Sequence, residues 1–365
     1  MPKLVIDATH FTTRQKTGIP NYALRVSEQL LQVPELETRF FTFGEPGLFP
    51  FPPERLYPLG PLEKQVRWLI GQRLFPGGKS DWFWCPFYSW PLGLEKRARV
   101  ILTVHDLLYR STLGDRYAGT FTPREQRFRT RFEQAIRRAD RIVAVSGATA
   151  DQAADAFGID RELIPVAYPG VDTEFFRPIA PELAREIAAR QGVRRRYILS
   201  LASVSPRRNL ETVIRAFSAI AKKIPDVDLV IAGNRSYSPE YTKIIERFAA
   251  ETAPGRVLFL DYIPEEALPA LYSGAELFVS ASLFEGFDMP VVEALACGTP
   301  AVVSGIPVHR EVCGNAAEYF EPGDAKSLSE ILEARLTRQK TNPTFDPARF
   351  SWKSSARIYA GLVSC

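Results

Sequence analysis

Glu285 and Glu293 stand eight residues apart in the segment Glu285-Gly-Phe-Asp-Met-Pro-Val-Val-Glu293-Ala-Leu-Ala-Cys-Gly-Thr-Pro-Ala-Val, and their neighbours say where the two carboxylates lie. The preceding run Glu276-Leu-Phe-Val-Ser-Ala-Ser282 reads as a strand, Gly286 as a turn, and Pro290 fits a first helical turn, where its missing N–H is no loss. Gly298 and Pro300 then stop the helix, and Ala301-Val-Val-Ser304 reads as the next strand. The carboxylates therefore bracket the start of a short helix at the carboxyl end of a strand. Such a helix start offers free N–H groups and a positive dipole end, which suit a diphosphate. Phe287, Asp288 and Met289 would supply the amides. Glu285, ahead of the turn, can reach a sugar hydroxyl, while Glu293, about one turn in and expected to be partly exposed, can accept hydrogen bonds from ribose hydroxyls. Taken singly, Glu293 could merely complement the helix dipole and Glu285 cap a loop; the whole block points to a sugar nucleotide.

The block resembles the E-x7-E signature, EGFG-x-P-x-x-EA-x-A-CG-x-P, of glycosyltransferase family 4, retaining enzymes of the GT-B fold. Its look is nearest to mannosyltransferases of polysaccharide and O-antigen assembly. The likeness runs along nearly the whole chain, with one departure: Asp288 stands where the family usually has Gly. A carboxylate there can cap the helix and compete for the N–H groups that a phosphate would use. The alternative, favoured by the agreement of everything around it, is a side chain turned away with only its backbone N–H at the site.

Other segments extend the likeness. Ala202-Ser203-Val-Ser-Pro206-Arg207-Arg208-Asn209 lies between a strand and a helix and is similar to the family's phosphate loop. Arg208 falls on the family's phosphate-binding lysine, with a fork in place of a point charge, Arg207 is the neighbouring cation, and Ser203 stands where some members carry an Arg. His105-Asp106 follows an apolar strand and resembles the family's H-D motif, which assigns His105 to the donor sugar and reaction centre. Gly18, in Thr17-Gly-Ile-Pro-Asn-Tyr22, matches a Gly-rich loop that approaches donor phosphate and acceptor; Tyr22 reads equally as core or ligand. Tyr262, in Asp261-Tyr-Ile-Pro264, matches a segment beside the nucleotide base, and Arg235 is a further candidate for the nucleotide. The aromatic run Trp82 to Trp90 reads equally as core and as a platform for an acceptor sugar or lipid.

These residues need a scaffold, and the chain alternates strand and helix patterns from end to end. That predicts an α/β protein of doubly wound parallel sheets. At 365 residues it exceeds the size at which one core keeps growing. The pattern breaks around residues 167–178 and restarts at Arg196. Two Rossmann-like domains are expected, residues 1–170 with 350–365 and residues 171–349, and the resemblance implies that the first is the acceptor side and that the second holds the nucleotide sugar. The resemblance implies that they face across a cleft, and that the last helix, around Ser355 to Val363, crosses back to the first domain.

Composition narrows the partners. No apolar run reaches eighteen residues, and the start of the chain lacks a leader pattern, so a cytoplasmic protein is expected. Four cysteines without C-x-x-C pairing argue against zinc, Fe–S or a disulfide framework. The net charge of +4 is too mild for nucleic acid. Nine arginines against four acids between Arg110 and Arg141, interleaved with aromatics, read as a solvated face or as a peripheral contact with an anionic membrane. The resemblance implies transfer of a sugar from a nucleoside diphosphate donor, GDP-mannose as first choice, to a glycan or lipid-linked acceptor, without cofactor or metal. The alternatives are another GT-B activity, a phosphorylase or sugar-nucleotide epimerase, and a non-catalytic nucleotide-sugar-binding subunit.

Overall fold

Short apolar runs rich in Val, Ile, Leu and Phe become the strands of two parallel sheets, because a strand covered on both faces needs apolar residues in every position. The computed structural model describes residues 1–8, 11, 18–41, 50–56, 81–87, 94, 98–110, 123–201, 203–338 and 342–364. It divides into one unit of Met1–Gly170 with Phe350–Cys365 and a second of Val171–Arg349. Residues 12–17 of the Gly18 loop, 88–90 of the aromatic run, 111–122 of the basic stretch and Ala202 lie outside the described residues, as do the side chains of 123–128.

In the first unit, β1 (Lys3–Asp7), β2 (Glu37–Phe41), β3 (Trp82–Cys85), β4 (Arg99–Val104) and β5 (Arg141–Ala144) pair in the order β2-β1-β3-β4-β5, all parallel. Side-chain alternation assigns each strand residue to a face. Val5, Phe83, Cys85, Val100, Leu102 and Val104 join one cluster with Phe132, Ala135 and Ile136 of the helix Pro123–Arg138. That placement settles one question about the basic stretch. Phe132 is fully buried, so the described aromatic of this helix packs on the sheet, while Arg131, Arg137 and Arg138 are exposed.

The opposite face carries the helix Gly18–Leu30 and the C-terminal helix Trp352–Ser364, which contact one another. A buried polar chain fastens the C-terminal helix to the first unit. Trp84 Nε1 donates to Thr103 Oγ1 at 2.8 Å, Thr103 and Tyr359 hydroxyls meet at 2.6 Å, and Tyr359 and Tyr22 hydroxyls at 2.9 Å. Tyr22 also donates to the Ala167 carbonyl at 3.0 Å, which makes it a core residue. Trp82 and Trp84 are likewise core, so this part of the aromatic run is no acceptor platform.

The second unit holds β6 (Arg196–Leu201), β7 (Val227–Ala232), β8 (Val257–Leu260), β9 (Leu277–Ser280), β10 (Ala301–Ser304) and β11 (Ala317–Phe320), in the parallel order β11-β10-β9-β6-β7-β8. The order reverses between β6 and β9. Connections run outward in both directions from that pair, and right-handed crossovers then place helices on opposite faces of the sheet. In such a sheet the crevice beyond the carboxyl ends of the two central strands is the natural ligand position. The phosphate-loop candidates follow β6 and the Glu285 block follows β9, so the sheet topology brings them to one place. Among the described residues no helix is long and apolar enough to cross a membrane.

Gly170 is the tightest point beneath the C-terminal helix. A Cβ there would meet the backbone nitrogen of Trp352 and come within 2.6 Å of its ring. Gly170→Ala is expected to destabilise the protein by about 1–3 kcal/mol, as overpacking does. A urea-unfolding midpoint equal to that of the parent protein would show that the helix seat yields.

Candidate active site

The turn that leads from β9 into the helix Met289–Ala296 sets the geometry. Asp288 is its N-cap residue and takes the left-handed conformation, φ 73° and ψ 66°. Asp tolerates that region better than most residues, but Gly does so freely. This backbone turns the carboxylate away from the helix N–H groups, and it makes no capping hydrogen bond. The competition for phosphate donors that its sequence position suggests does not arise.

The carboxylate is not silent either, which corrects the expectation that only the backbone N–H matters. Its Oδ1 accepts from Arg208 Nη1 at 3.0 Å, and its Oδ2 accepts from Ser280 Oγ at 2.7 Å and faces His309 Nε2 at 3.0 Å. Burial alone would push this carboxyl up; the Arg208 charge and the hydrogen bonds of His309 and Ser280 outweigh burial and hold it well below the usual carboxylate range. Arg208 belongs to the tight turn Pro206–Arg208 after β6, which ends on Asn209 in the left-handed region. His309 belongs to the helix Pro307–Cys313 after β10. Three neighbouring strand ends thus contribute to one cluster.

Glu285 completes it. Its Oε2 accepts from Arg207 Nη1 at 2.7 Å, its Oε1 from Ser282 Oγ at 2.8 Å, and Oε1 pairs with Arg208 Nη1 at 2.5 Å. Two adjacent guanidinium groups are held side by side because a carboxylate lies between them. The Leu283 N–H donates to the Arg207 carbonyl at 2.8 Å and ties the two loops at the backbone. Asp288 and Met289 make no backbone N–H bond among the described residues, and Pro290 has no N–H, so the helix start keeps two donors for an acceptor. The Phe287 ring is buried.

Glu293 lies on the same helix but outside this cluster. Tyr272 donates its hydroxyl to Glu293 Oε2 at 2.8 Å. Burial pushes the Glu293 carboxyl up to about 7, with the Tyr272 hydrogen bond opposing and the charges of Glu265 and Asp288 adding to the rise. It is a half-buried group with a fixed partner, more enclosed than a first-turn surface glutamate would be.

The remaining candidates lie elsewhere. Ser203 is half-buried in the loop after β6. Tyr262 is 70% exposed beyond β8, at the sheet edge, beside Asp261, whose carboxylate is 3.4 Å from Arg235 Nη1; Arg235 also pairs with Glu246. His105 and Gly18 belong to the first unit. The His105 ring is buried against Tyr22, centroids 5.1 Å apart, with Nε2 at 3.0 Å from the Pro86 carbonyl. A carbonyl only accepts, so the proton sits on Nε2. Burial lowers this imidazole to about 4 despite that bond, which makes His105 a neutral group at pH 7. Gly18 opens the helix Gly18–Leu30, where an added Cβ would meet nothing within 4 Å. Sequence reasoning missed His309 and the serines at 280, 282 and 304. The available signal was position: His309 follows β10 in the first turn of a helix, as Arg208 and Glu285 follow their strands.

Two arginines, a carboxylate and a helix start are gathered at the switch point of a doubly wound sheet, the position at which such sheets commonly hold phosphorylated ligands. Residues 185–349 match the model described as glycosyl transferases group 1, and residues 17–175 match the glycosyltransferase family 4 model. The chain belongs to the family-4 type of glycosyltransferases. The serotype-specific mannosyltransferase WbdA of Escherichia coli is 28% identical over 270 residues, 71% of this chain and 32% of WbdA. Mannosylfructose-phosphate synthase of Agrobacterium fabrum is 28% identical over 258 residues, 66% of this chain and 56% of that protein. The chain thus spans about a third to about half of these relatives' length. HepE of Anabaena, solved in complex with UDP and glucose, shares the fold, with a TM-score of 0.73 at 18% identity over the full length of both chains.

Glu293 makes a test of the site's dielectric. Its carboxyl sits near 7 in the folded protein against 4.5 ordinarily, so the folded chain holds a proton that the unfolded chain releases. That contribution to stability is full below about pH 4.5 and is lost as pH rises through about 7. Glu293→Gln keeps an acceptor for Tyr272 without the charge. Between pH 5 and pH 8 the variant is expected to gain about 2–3 kcal/mol relative to the parent in urea unfolding. Parallel pH curves for the two proteins would place Glu293 in a watery setting.

Proposed function

We propose that this protein is a retaining glycosyltransferase that moves a sugar, mannose from GDP-mannose as first choice, to a glycan or lipid-linked acceptor. The observation that carries the reading is the pairing of Arg207 and Arg208 with Glu285 beside the start of the helix Met289–Ala296. Mannose is supported by the relatives WbdA, a mannosyltransferase, and mannosylfructose-phosphate synthase, and a nucleoside diphosphate donor by the UDP and glucose bound in HepE.

In this reading the departing diphosphate gathers negative charge as the glycosidic bond breaks. Arg208, Arg207 and the N–H groups of Asp288 and Met289 stabilise it, and these charges and dipoles do so without a metal ion. Glu285 orients the donor sugar through its hydroxyls, and Glu293 accepts from the ribose. Tyr262, exposed at the sheet edge, offers a flat face to the base, and Ser203 lies on the phosphate loop. The leaving phosphate takes the acceptor's proton on the face from which it departs, which retains the anomeric configuration. His105 is the first unit's candidate for the donor sugar. As a neutral imidazole it would act as a hydrogen-bonding group. The exposed Arg131, Arg137, Arg138 and Arg141 support a peripheral contact with an anionic surface.

The reading is tested by nucleotide release. With GDP-mannose as donor and EDTA present, the parent protein is expected to release GDP, and Arg208→Ala to lower that rate by about 10²- to 10³-fold, the loss typical of one charge-stabilising donor. Undiminished release by the variant would move the phosphate site away from Arg208.

A further inference from the structure

We propose that Asp288 and His309 are positioning residues that fix which edge of the Arg208 guanidinium is offered to the leaving diphosphate; the inference rests on the donor-site reading above. The argument begins with hydrogens. Arg208 Nη1 carries two, and it faces two carboxylates, Glu285 at 2.5 Å and Asp288 at 3.0 Å, with Ser282 Oγ farther off at 3.4 Å. Nη1 is therefore fully committed. Arg208 Nε is buried with no hydrogen-bond partner, and Nη2 has none among the described residues. The uncommitted edge is the Nε–Nη2 side, whose parallel N–H groups match two oxygens of one phosphate.

Glu285 alone could not hold that orientation, because Glu285 must also serve Arg207 and, in the reaction, the sugar. Asp288 has no such second duty. It is anchored from β9 by the Ser280 hydroxyl and from beyond β10 by His309, with both side chains almost wholly buried. His309 is itself pinned. The Ser304 hydroxyl spends its hydrogen on the Ser282 carbonyl at 2.5 Å, so it has none to give to the ring. His309 Nδ1 lies 2.9 Å from the Ser304 carbonyl, so the ring is held on the side opposite Asp288 as well. The line Ser304 carbonyl, His309, Asp288, Arg208 Nη1 runs from β10 across β9 to the turn after β6, and it stops the guanidinium from rotating about its stem.

The left-handed backbone at Asp288 supplies the means of testing this without unfolding the site. Glycine adopts φ 73° freely, so Asp288→Gly keeps the turn while removing the anchor. Calorimetric titration would use whichever of GDP, UDP, dTDP and ADP the parent protein binds. Asp288→Gly is expected to weaken that nucleotide about 10-fold, and His309→Ala by a smaller factor in the same direction. Arg208→Lys, a charge without a fork, should also weaken binding by about 10-fold, and adding Asp288→Gly to it should change nothing further, since the anchor acts through the fork. The inference is overturned if Asp288→Gly binds as tightly as the parent or more tightly, or if the two losses multiply in the double variant. Arg208→Ala separates the levels: lost binding there beside unaltered binding in Asp288→Gly sinks only the positioning role. Unaltered binding in Arg208→Ala, or no nucleotide bound by the parent, sinks the donor-site reading and this inference with it.

Discussion

Two guanidinium groups on consecutive residues repel each other, and a tight turn that holds both must be given counter-charge. Glu285 provides it to both Arg207 and Arg208, and Asp288 provides it again to Arg208. The Glu285 and Asp288 carboxylates are nearly inaccessible to water, so neither ion pair is a screened surface contact. Removing either partner from such a cluster strands a charge in a poor solvent, a loss of about 3–5 kcal/mol by analogy with other buried pairs. The loops after β6 and β9 are therefore locked to one another by their chemistry as much as by the Leu283 to Arg207 backbone bond. Everything assigned to the site depends on that lock.

The scaffold explains why the lock can exist. Parallel strands deliver the loop after each strand to the same edge, and reversal of the strand order at β6 and β9 leaves no crossover helix above that edge. Small hydroxyl residues at 280, 282 and 304 then fill the strand ends, each donating to a carboxylate or carbonyl within the cluster. Larger apolar residues there would leave Asp288 and Glu285 without donors. The site is thus a polar plug in an apolar sheet. Its serines, charges and histidine satisfy one another, leaving the Arg208 edge and the helix-start amides of Asp288 and Met289 over.

Much of this was legible in the sequence because local physics and tertiary structure agree there. The run Glu276–Ser282 contains the strand Leu277–Ser280, Ala301–Ser304 is a strand as read, and Pro290 and Gly298 sit where a short helix begins and ends. The edge strands β2 and β11 did not announce themselves. Their sequences, ETRFF and AEYF, mix polar and aromatic residues as half-covered strands do. Side-chain direction was the other blind spot. Whether Asp288 would cap its helix turned on one backbone angle, and the partner of Glu293, Tyr272, lies 21 residues away with no mark of its role. His309 was invisible for a related reason: a histidine acquires meaning only when the strand order places its helix beside another strand's loop.

The most direct measurement of the central claim is a crystal structure with GDP bound. The account predicts the diphosphate against the Nε–Nη2 edge of Arg208, with a phosphate oxygen at the Met289 amide and Arg208 Nη1 still on Asp288. A diphosphate seated away from the loops after β6 and β9, with both arginines paired as before and the helix start untouched, would contradict it.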